Sequence, residues 1–280
     1  MTRFKPFSLN IGGRLVEYRQ PAVMGIVNFT SDSFFSGSRV DAKSVGRRAE
    51  QLIAEGADML DLGACSTRPG AEIVEEALET ERLCAGVRAI RDAVGNDVPL
   101  SVDTFRSGAA RAAIEAGADI VNDISGGDLD PAMFSTVAEL KVPYILMHMR
   151  GTPATMQTMT DYGDVTTEVV ADLSRKLGRL EELGVADVIV DPGFGFAKTL
   201  EQNYRMLAEL EQFALLGRPL LAGMSRKSMF TKLLGISADE ALVPTAVAGA
   251  LALERGAAIL RVHDPREAAQ TIAMINLINI

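Results

Sequence analysis

Short apolar stretches in this sequence repeatedly close on polar side chains: Asn28, Asp61, Asp103, Asn122-Asp123, His148, Asp191, the group Ser225-Arg226-Lys227-Ser228, and Arg261-Val262-His263-Asp264. Two kinds of chemistry can be read from them. Arg261 and His263 lie two residues apart, so on a strand they point to the same side. A guanidinium and an imidazole side by side favour an anion between them. Ser66-Thr67-Arg68-Pro69-Gly70 adds hydroxyls and a second guanidinium, whose fork matches phosphate oxygens. Asp103, Asn122 and Asp191 form the other set. Carboxylates and an amide suit a heterocycle rich in N–H and C=O groups, and they can stabilise positive charge developing on it. The expectation is an anion site beside a nitrogen-heterocycle site. Neither glycine-rich nucleotide loop, G-x-x-x-x-G-K-[ST] or G-x-G-x-x-G, occurs. The spacing supports no Ser/His/Asp or Cys/His nucleophile either. His263 alone could be a general base, and an anion beside it argues against that role.

The plainer alternative is that these residues cap the helices that follow them, as Asp, Asn and Ser often do. A lone strand-end histidine such as His148 is more often a hydrogen-bonded structural residue than a catalyst. Capping accounts for any one of these positions better than it accounts for all of them at once.

An internal repeat supplies the elements that would position them. Glu55-Gly56-Ala57-Asp58, Ala116-Gly117-Ala118-Asp119, Gly184-Val185-Ala186-Asp187 and Arg255-Gly256-Ala257-Ala258 each precede a short apolar run. Each reads as a helix ending on a glycine, a tight turn and a buried strand. The four glycines are 61, 67 and 72 residues apart, which leaves room for two strand–helix units per interval. Further runs at 22–28, 98–103, 142–147 and 218–223 complete a set of eight, starting near residues 22, 57, 98, 119, 142, 187, 218 and 258. Continuous apolar runs are the signature of parallel strands buried on both faces. Stretches 41–55, 73–94, 163–183 and 238–255 carry helical spacing of Ala, Leu and Val. The expected fold is an α/β (β/α)₈ TIM barrel, with an open eight-unit sheet as the alternative. In such a barrel the polar strand ends converge on one rim, where chemistry takes place. Residues 7–18 read as a β-hairpin around Gly12-Gly13, covering the bottom of the barrel as part of an extension over residues 1–20.

The chain has 280 residues, 48% of them apolar, and a formal net charge of −9. This length suits a single barrel domain over 1–280. The acidic balance argues against a broad nucleic-acid or acidic-lipid surface. Basic groups for an anionic small substrate would have to be focused at one site. No signal-peptide-like stretch and no membrane-length apolar run occur, so a cytoplasmic location is expected. Cys65 and Cys84 show no metal-ligand spacing and read as free thiols.

Several of these segments together resemble the signatures of the dihydropteroate synthase family. The first is Val23-Met24-Gly25-Ile26-Val27-Asn28-Phe29-Thr30-Ser31-Asp32-Ser33-Phe34, and the second is Asp61-Leu62-Gly63-Ala64-Cys65-Ser66-Thr67-Arg68-Pro69-Gly70-Ala71. Ser101-Val102-Asp103-Thr104, Val121-Asn122-Asp123-Ile124 and Met147-His148-Met149-Arg150-Gly151 follow in order. Asp191-Pro192-Gly193-Phe194-Gly195-Phe196-Ala197-Lys198-Thr199, Ser225-Arg226-Lys227-Ser228 and Arg261-Val262-His263-Asp264 complete the set. The resemblance implies a transferase of folate biosynthesis and a sulfonamide target, with Mg²⁺ as cofactor and a homodimer as its assembly. It condenses 6-hydroxymethyl-7,8-dihydropterin pyrophosphate with 4-aminobenzoate to give 7,8-dihydropteroate and pyrophosphate, through a cation on the pterin.

The resemblance also implies roles. Asp103, Asn122, Asp191 and Lys227 would hold the pterin, with Met147 and Gly223 lining its slot. Asn28, Thr67, Arg68, Arg261 and His263 would hold pyrophosphate, and Asn28 would also contact Mg²⁺. Phe34, Thr67, Arg68, Pro69, Phe196, Lys227 and Ser228 would form the aminobenzoate pocket. Asp103, Asp191 and Lys227 would carry the catalysis. The first loop departs from the family's Thr-Pro-Asp-Ser-Phe-x-Asp-Gly-Gly, reading Thr30-Ser31-Asp32-Ser33-Phe34-Phe35-Ser36-Gly37-Ser38, and Cys65 replaces a larger polar residue. The loops at 29–40 and 64–71 are expected to be mobile when empty and tied down by the anion. A methyltetrahydrofolate-dependent methyltransferase and a non-catalytic pterin-binding paralogue are the rival functions. The first needs no pyrophosphate clamp, so 66–70 and Arg261/His263 count against it.

Overall fold

The computed structural model describes residues 4–29, 38–64 and 74–278, with the side chains of the middle segment described from residue 43. The chain opens with strands β1 (Phe7–Ile11) and β2 (Arg14–Tyr18), paired antiparallel so that Ile11 lies opposite Arg14 across the Gly12-Gly13 turn. Eight parallel strands follow: β3 (Ala22–Asn28), β4 (Met59–Gly63), β5 (Leu100–Asp103), β6 (Ile120–Asp123), β7 (Tyr144–Met147), β8 (Val188–Asp191), β9 (Leu221–Ala222) and β10 (Ile259–Val262). Their order is β8-β7-β6-β5-β4-β3-β10-β9, and a parallel bridge between Val190 and Leu220 joins the two ends. The sheet is therefore a closed barrel rather than an open sheet.

Helices α1 (Ser38–Ala54), α2 (Glu76–Val94), α3 (Ser107–Glu115), α4 (Met133–Leu140), α5 (Val165–Glu182), α6 (Leu200–Ala208), α7 (Ser228–Leu234), α8 (Leu242–Glu254) and α9 (Pro265–Ile278) return the chain between strands and follow the last one. The repeated glycines behave as expected. Gly56, Gly117, Gly184 and Gly256 all take positive φ between a helix and the strand after it. The seventh barrel strand is shorter than the run 218–223 suggests. Pro219 has no N–H to give, and its carbonyl accepts from Val190 N, so only Leu221 and Ala222 pair in full.

Side chains alternate across the barrel wall, as a period of two requires. Val121, Leu146, Val190 and Leu260 face the surrounding helices in one cluster, and Leu60, Leu62 and Val102 do so in another. The alternate positions Met24, Met59, Ile120, Ile145, Ile189, Leu221 and Ile259 fill the barrel floor. Leu9, Ile11 and Tyr18 of the hairpin join that same cluster and close the barrel from below. Moving two residues up from this floor along β4, β6, β8 and β10 gives Asp61, Asn122, Asp191 and Arg261. The inward face thus changes from apolar to polar between floor and rim. No described helix is long and apolar enough to cross a membrane.

Leu9 is buried in the floor cluster through the hairpin alone. Leu9→Ala should cost about 2–5 kcal/mol of stability, the usual range for removing a buried leucine side chain. A urea unfolding midpoint equal to that of the unchanged chain would show that the hairpin does not seal the barrel.

Candidate active site

The centre of the rim is an ion cluster. Arg261 donates through Nε to Asp61 at 2.6 Å and through a terminal nitrogen to Asp103 at 3.0 Å. Asn122 Nδ2 donates to the same Asp61 oxygen at 3.0 Å. Three neighbouring strands and β10 are therefore tied together across the barrel mouth. Asp61 and Asn122 are fully buried, and Asp103 nearly so. The free oxygens Asp61 Oδ1 and Asp103 Oδ1, with Ser101 Oγ beside them in register, are buried without a hydrogen bond among the described residues. Buried acceptors are costly unless satisfied. This floor therefore suits a ligand that presents N–H donors.

Asp191 completes the acceptor set. Its Oδ1 accepts from Gly193 N at 2.7 Å, which fixes the carboxylate against its own loop. Gly223 lies against it, since a Cβ there would sit 3.6 Å from Asp191 Oδ2 and 3.9 Å from Arg261 Cβ. Lys227 reaches in from the β9 side. Its ammonium donates to Phe194 O at 2.6 Å and lies 4.7 Å from the centre of the Phe196 ring. Met147, Phe196 and Ala197 share a small apolar cluster with Ile124, Met149 and Met156. One side of Lys227 therefore faces carboxylates and the other an aromatic wall.

Burial governs the charges here. It lifts the Asp103 carboxyl to about 7, against the pull of Arg261 and with Asp61, Glu79 and Asp123 adding to the rise. It also raises Asp191, against Lys227 and the Gly193 N–H. Burial brings the Lys227 ammonium down to about 8, although Asp191 and Asp103 favour its charge. For Arg261 burial works against the charge, yet Asp61 and Asp103 hold its pKa above the ordinary value.

The structure brings together Asp103, Asn122, Asp191, Gly223 and Arg261, and it sets Lys227 beside Phe196. Arg261, expected at the anion, is bound by two carboxylates and belongs equally to the acceptor floor. His263 lies above it in strand register, its Nδ1 2.9 Å from Ser225 Oγ. Asn28 ends β3 opposite Gly63, with its side chain exposed at the rim. Ser228 opens α7 directly after Lys227. Phe34, Cys65, Thr67, Arg68 and Pro69, and the loops proposed to be ordered by an anion, lie outside the described residues.

The structural alternative holds for other strand-end residues. Asp123 faces outward and accepts from Tyr144 OH, Ser125 N and Gly127 N, which makes it the organiser of its own turn. His148 is buried with Nδ1 3.1 Å from Lys198 Nζ, and burial together with the Lys198 charge depresses its pKa far below the usual value. Asp264 and Arg226 pair with each other through two hydrogen bonds. Two residues carry more weight than their sequence suggests. Asp61 was visible only as a polar strand end, and its parity with the inward Met59 is the signal that would have placed it. Lys198 left no signal beyond its motif. Cys84 is a free thiol.

The sequence profile of a family described as pterin binding enzyme matches residues 24–263. A dihydropteroate synthase of Synechocystis sp. is 41% identical over 279 residues, covering 96% of this chain and 94% of that one. The solved dihydropteroate synthase of Xanthomonas albilineans with 4-aminobenzoic acid superposes with a TM-score of 0.89 at 36% identity, covering 97% of this chain and 98% of the other. The same enzyme in complex with 7,8-dihydropteroate gives 0.86 at 34% identity, covering 98% and 99%.

The raised carboxyl can be checked directly. An infrared difference titration of the unchanged chain against Asp103→Asn should show one carboxyl converting to carboxylate around pH 7, protonated below and charged above. A midpoint near the ordinary value of 3.8 would mean that Arg261 outweighs burial.

Proposed function

The chain belongs to the dihydropteroate synthases of the pterin-binding enzyme family, and we propose that its rim joins the methylene carbon of a dihydropterin, activated as the pyrophosphate ester, to the amine of 4-aminobenzoate. The observation that carries this reading is the pair of buried inward carboxylates, Asp103 and Asp191, which both act on the Lys227 and Arg261 charges in a site that shelters them from water. They stand where positive charge develops as the methylene C–O bond breaks and pyrophosphate departs. Fixed charges in such a site stabilise a transition state without having to reorganise. Asp103, Asn122 and the unpartnered floor oxygens accept the N–H groups of the pterin. Lys227 donates to its carbonyl side, and Met147 packs on the ring beside Gly223.

The departing pyrophosphate takes the bonding electron pair. Arg261 and His263, with Thr67, Arg68 and Asn28, form its site in this reading. The aromatic amine, seated between Phe196 and the Lys227 stem with Ser228, Phe34 and Pro69 completing the pocket, attacks the cation with its lone pair and then loses one proton to solvent. A neutral amine attacking a cation needs no strong base, consistent with His263 being engaged by Ser225. Most of the rate would come from positioning and preorganised charge.

Magnesium fits the donor set. It takes oxygen ligands, keeps several waters and commonly binds substrate phosphates with only one or two protein oxygens. Asn28 offers one exposed amide oxygen at the rim, and no group of three or more His, Cys, Asp or Glu side chains that could hold a metal occurs among the described residues. Bound there, the ion would neutralise charge on the leaving pyrophosphate.

We also read the enzyme as a cytoplasmic homodimer. Val243, Val247 and Leu251 lie along one exposed face of α8, and Met274, Leu277 and Ile278 are exposed on the adjacent α9. An apolar patch of this kind on a soluble chain marks an association surface.

A turnover assay with the pterin pyrophosphate and 4-aminobenzoate tests the function. Stoichiometric dihydropteroate and pyrophosphate are expected, and no product from the folded chain would favour the non-catalytic pterin-binding alternative. Asp191→Asn keeps shape and removes charge, so kcat should fall roughly a hundredfold while KM for the pterin changes far less. A raised KM at unchanged kcat would reduce Asp191 to a ground-state binding group. Val247→Glu should convert the dimer to monomer in sedimentation velocity, and an unchanged sedimentation coefficient would move the interface elsewhere.

A further inference from the structure

The loop after β8 begins at Asp191 and ends at Lys198, with Phe196 between them. Lys198 does not point into the site. It is buried beneath the loop, where its ammonium donates to Gly193 O and to Phe196 O, each at 3.0 Å, and faces His148 Nδ1 at 3.1 Å. An ammonium has three N–H donors and nothing to accept with. Here it meets three acceptors, two of them carbonyls of its own loop and the third on the residue after β7. His148 must then accept at Nδ1 and carry its proton on Nε2, which agrees with its depressed pKa.

This arrangement is expensive unless it holds something in place. Among the described residues, no carboxylate pairs with Lys198. Burial brings its pKa to about 7; Asp191 and Asp172 favour the charge, while Lys227 and Arg150 oppose it. Buried charge without a paired counter-ion is disfavoured, and an apolar side chain of similar volume would fill the same space at less cost. What an apolar side chain could not do is bind the two carbonyls. The loop needs such a hold, because it takes positive φ at Gly193, Gly195 and Ala197. At Gly193 the approach is so close that a Cβ would lie 2.0 Å from His148 O. Other bonds hold the middle of the loop, from Gly195 N to Asn203 Oδ1 at 2.6 Å and from Gln157 Nε2 to Gly195 O at 3.3 Å. The Phe196 carbonyl accepts from Lys198 Nζ. On the opposite side the Phe196 ring faces the Lys227 ammonium.

We propose that Lys198 is a positioning residue for the nucleophile's pocket: by holding the Phe196 carbonyl from beneath the loop it fixes the aromatic wall on which 4-aminobenzoate packs, while touching neither substrate. The proposal rests on the reading of Phe196 as part of that pocket. Asp191, by contrast, is held in β8 by its strand neighbours and by the Gly193 N–H. The two substrates should therefore respond differently to loss of the lysine.

Lys198→Met is the main variant. It removes a buried charge and keeps an unbranched chain only one atom shorter, so folding is expected to survive. Lys198→Gln, too short to reach both carbonyls, serves as a second variant. In both, KM for 4-aminobenzoate should rise about tenfold, while KM for the pterin pyrophosphate and kcat stay within about threefold. Phe196→Ala should raise KM for 4-aminobenzoate as well. Adding Lys198→Met to it should cost nothing further, because two changes acting through one contact are not additive. Equal losses in both KM values, a loss confined to kcat, additive effects in the double variant, or no effect of Phe196→Ala would each overturn the proposal. Amide hydrogen exchange measures the hold without turnover. Residues 193–197 should exchange faster in Lys198→Met while the strands are unchanged, and unchanged exchange there would overturn the hold itself. If the unchanged chain fails to turn over the two substrates yet exchange responds as expected, the functional reading fails and the anchoring stands.

Discussion

The contact on which the rim depends is Arg261 held between Asp61 and Asp103. It spans the barrel mouth from β10 to β4 and β5, and through Asp61 it also fixes the Asn122 amide. Two carboxylates share one guanidinium, so the cluster carries an excess negative charge in a place with little solvent. The protein accommodates this by letting Asp103 rise to about 7. Removing the arginine would leave two carboxylates facing each other without compensation, and breaking a buried pair in this way is far more damaging than the pair is stabilising. Arg261 is therefore a structural element of the acceptor floor before it is a binding group for anything.

That cluster follows from a simple rule of strand geometry. Inward and outward positions alternate, so each strand lifts every second residue toward the rim. Below, those positions are Met59, Ile120, Ile189 and Ile259, and they pack against the hairpin. Two residues further on they are Asp61, Asn122, Asp191 and Arg261. The apolar floor gives the barrel its core, and the same register delivers the polar groups above it. A shift of one residue in any strand would bury its polar group against the helices and turn its apolar partner into the site.

The rule also explains which parts of the structure were legible from the sequence. The glycine repeats located the strands, since helix ends and buried apolar runs are local features. Closure of the barrel rests on the pairing of Val190 with Leu220, which no local pattern reveals. Asn122 and Asp123 look alike as strand-end residues. Only parity separates the one that faces the barrel mouth from the one that organises a turn. Asp61 was undervalued because its partners, Asn122 and Arg261, lie 61 and 200 residues away. Lys198 was harder still. Its partners are mainly main-chain carbonyls, turned toward it by a loop whose left-handed residues include Ala197, an identity that gives no hint of such a conformation. Of the residues that motif resemblance named, Asp103, Asn122, Asp191, Gly223 and Arg261 lie together and Lys227 sits beside Phe196, but the motifs could not say which of them hold each other.

The overall charge of −9 is at odds with binding a pyrophosphate ester only at first sight. Within the rim, positive groups alternate with negative ones: Arg261 between Asp61 and Asp103, Lys227 toward Asp191, and Lys198 behind the loop. Burial raises the Asp103 and Asp191 carboxyls and lowers the Lys227 and Lys198 amines, so that Asp103 and Lys227 sit near 7 and 8, whereas Asp61 and Asp103 hold the charge of Arg261. Groups poised in this way respond strongly to a neighbouring charge. An anion arriving at the rim would favour the protonated ammonium, and a cation forming beside Asp103 and Asp191 would favour their carboxylates. In the proposed reaction, the charges of leaving group and electrophile would therefore each draw the site toward the protonation state that stabilises them as they separate. An acidic protein can in this way hold an anion and a nascent cation side by side.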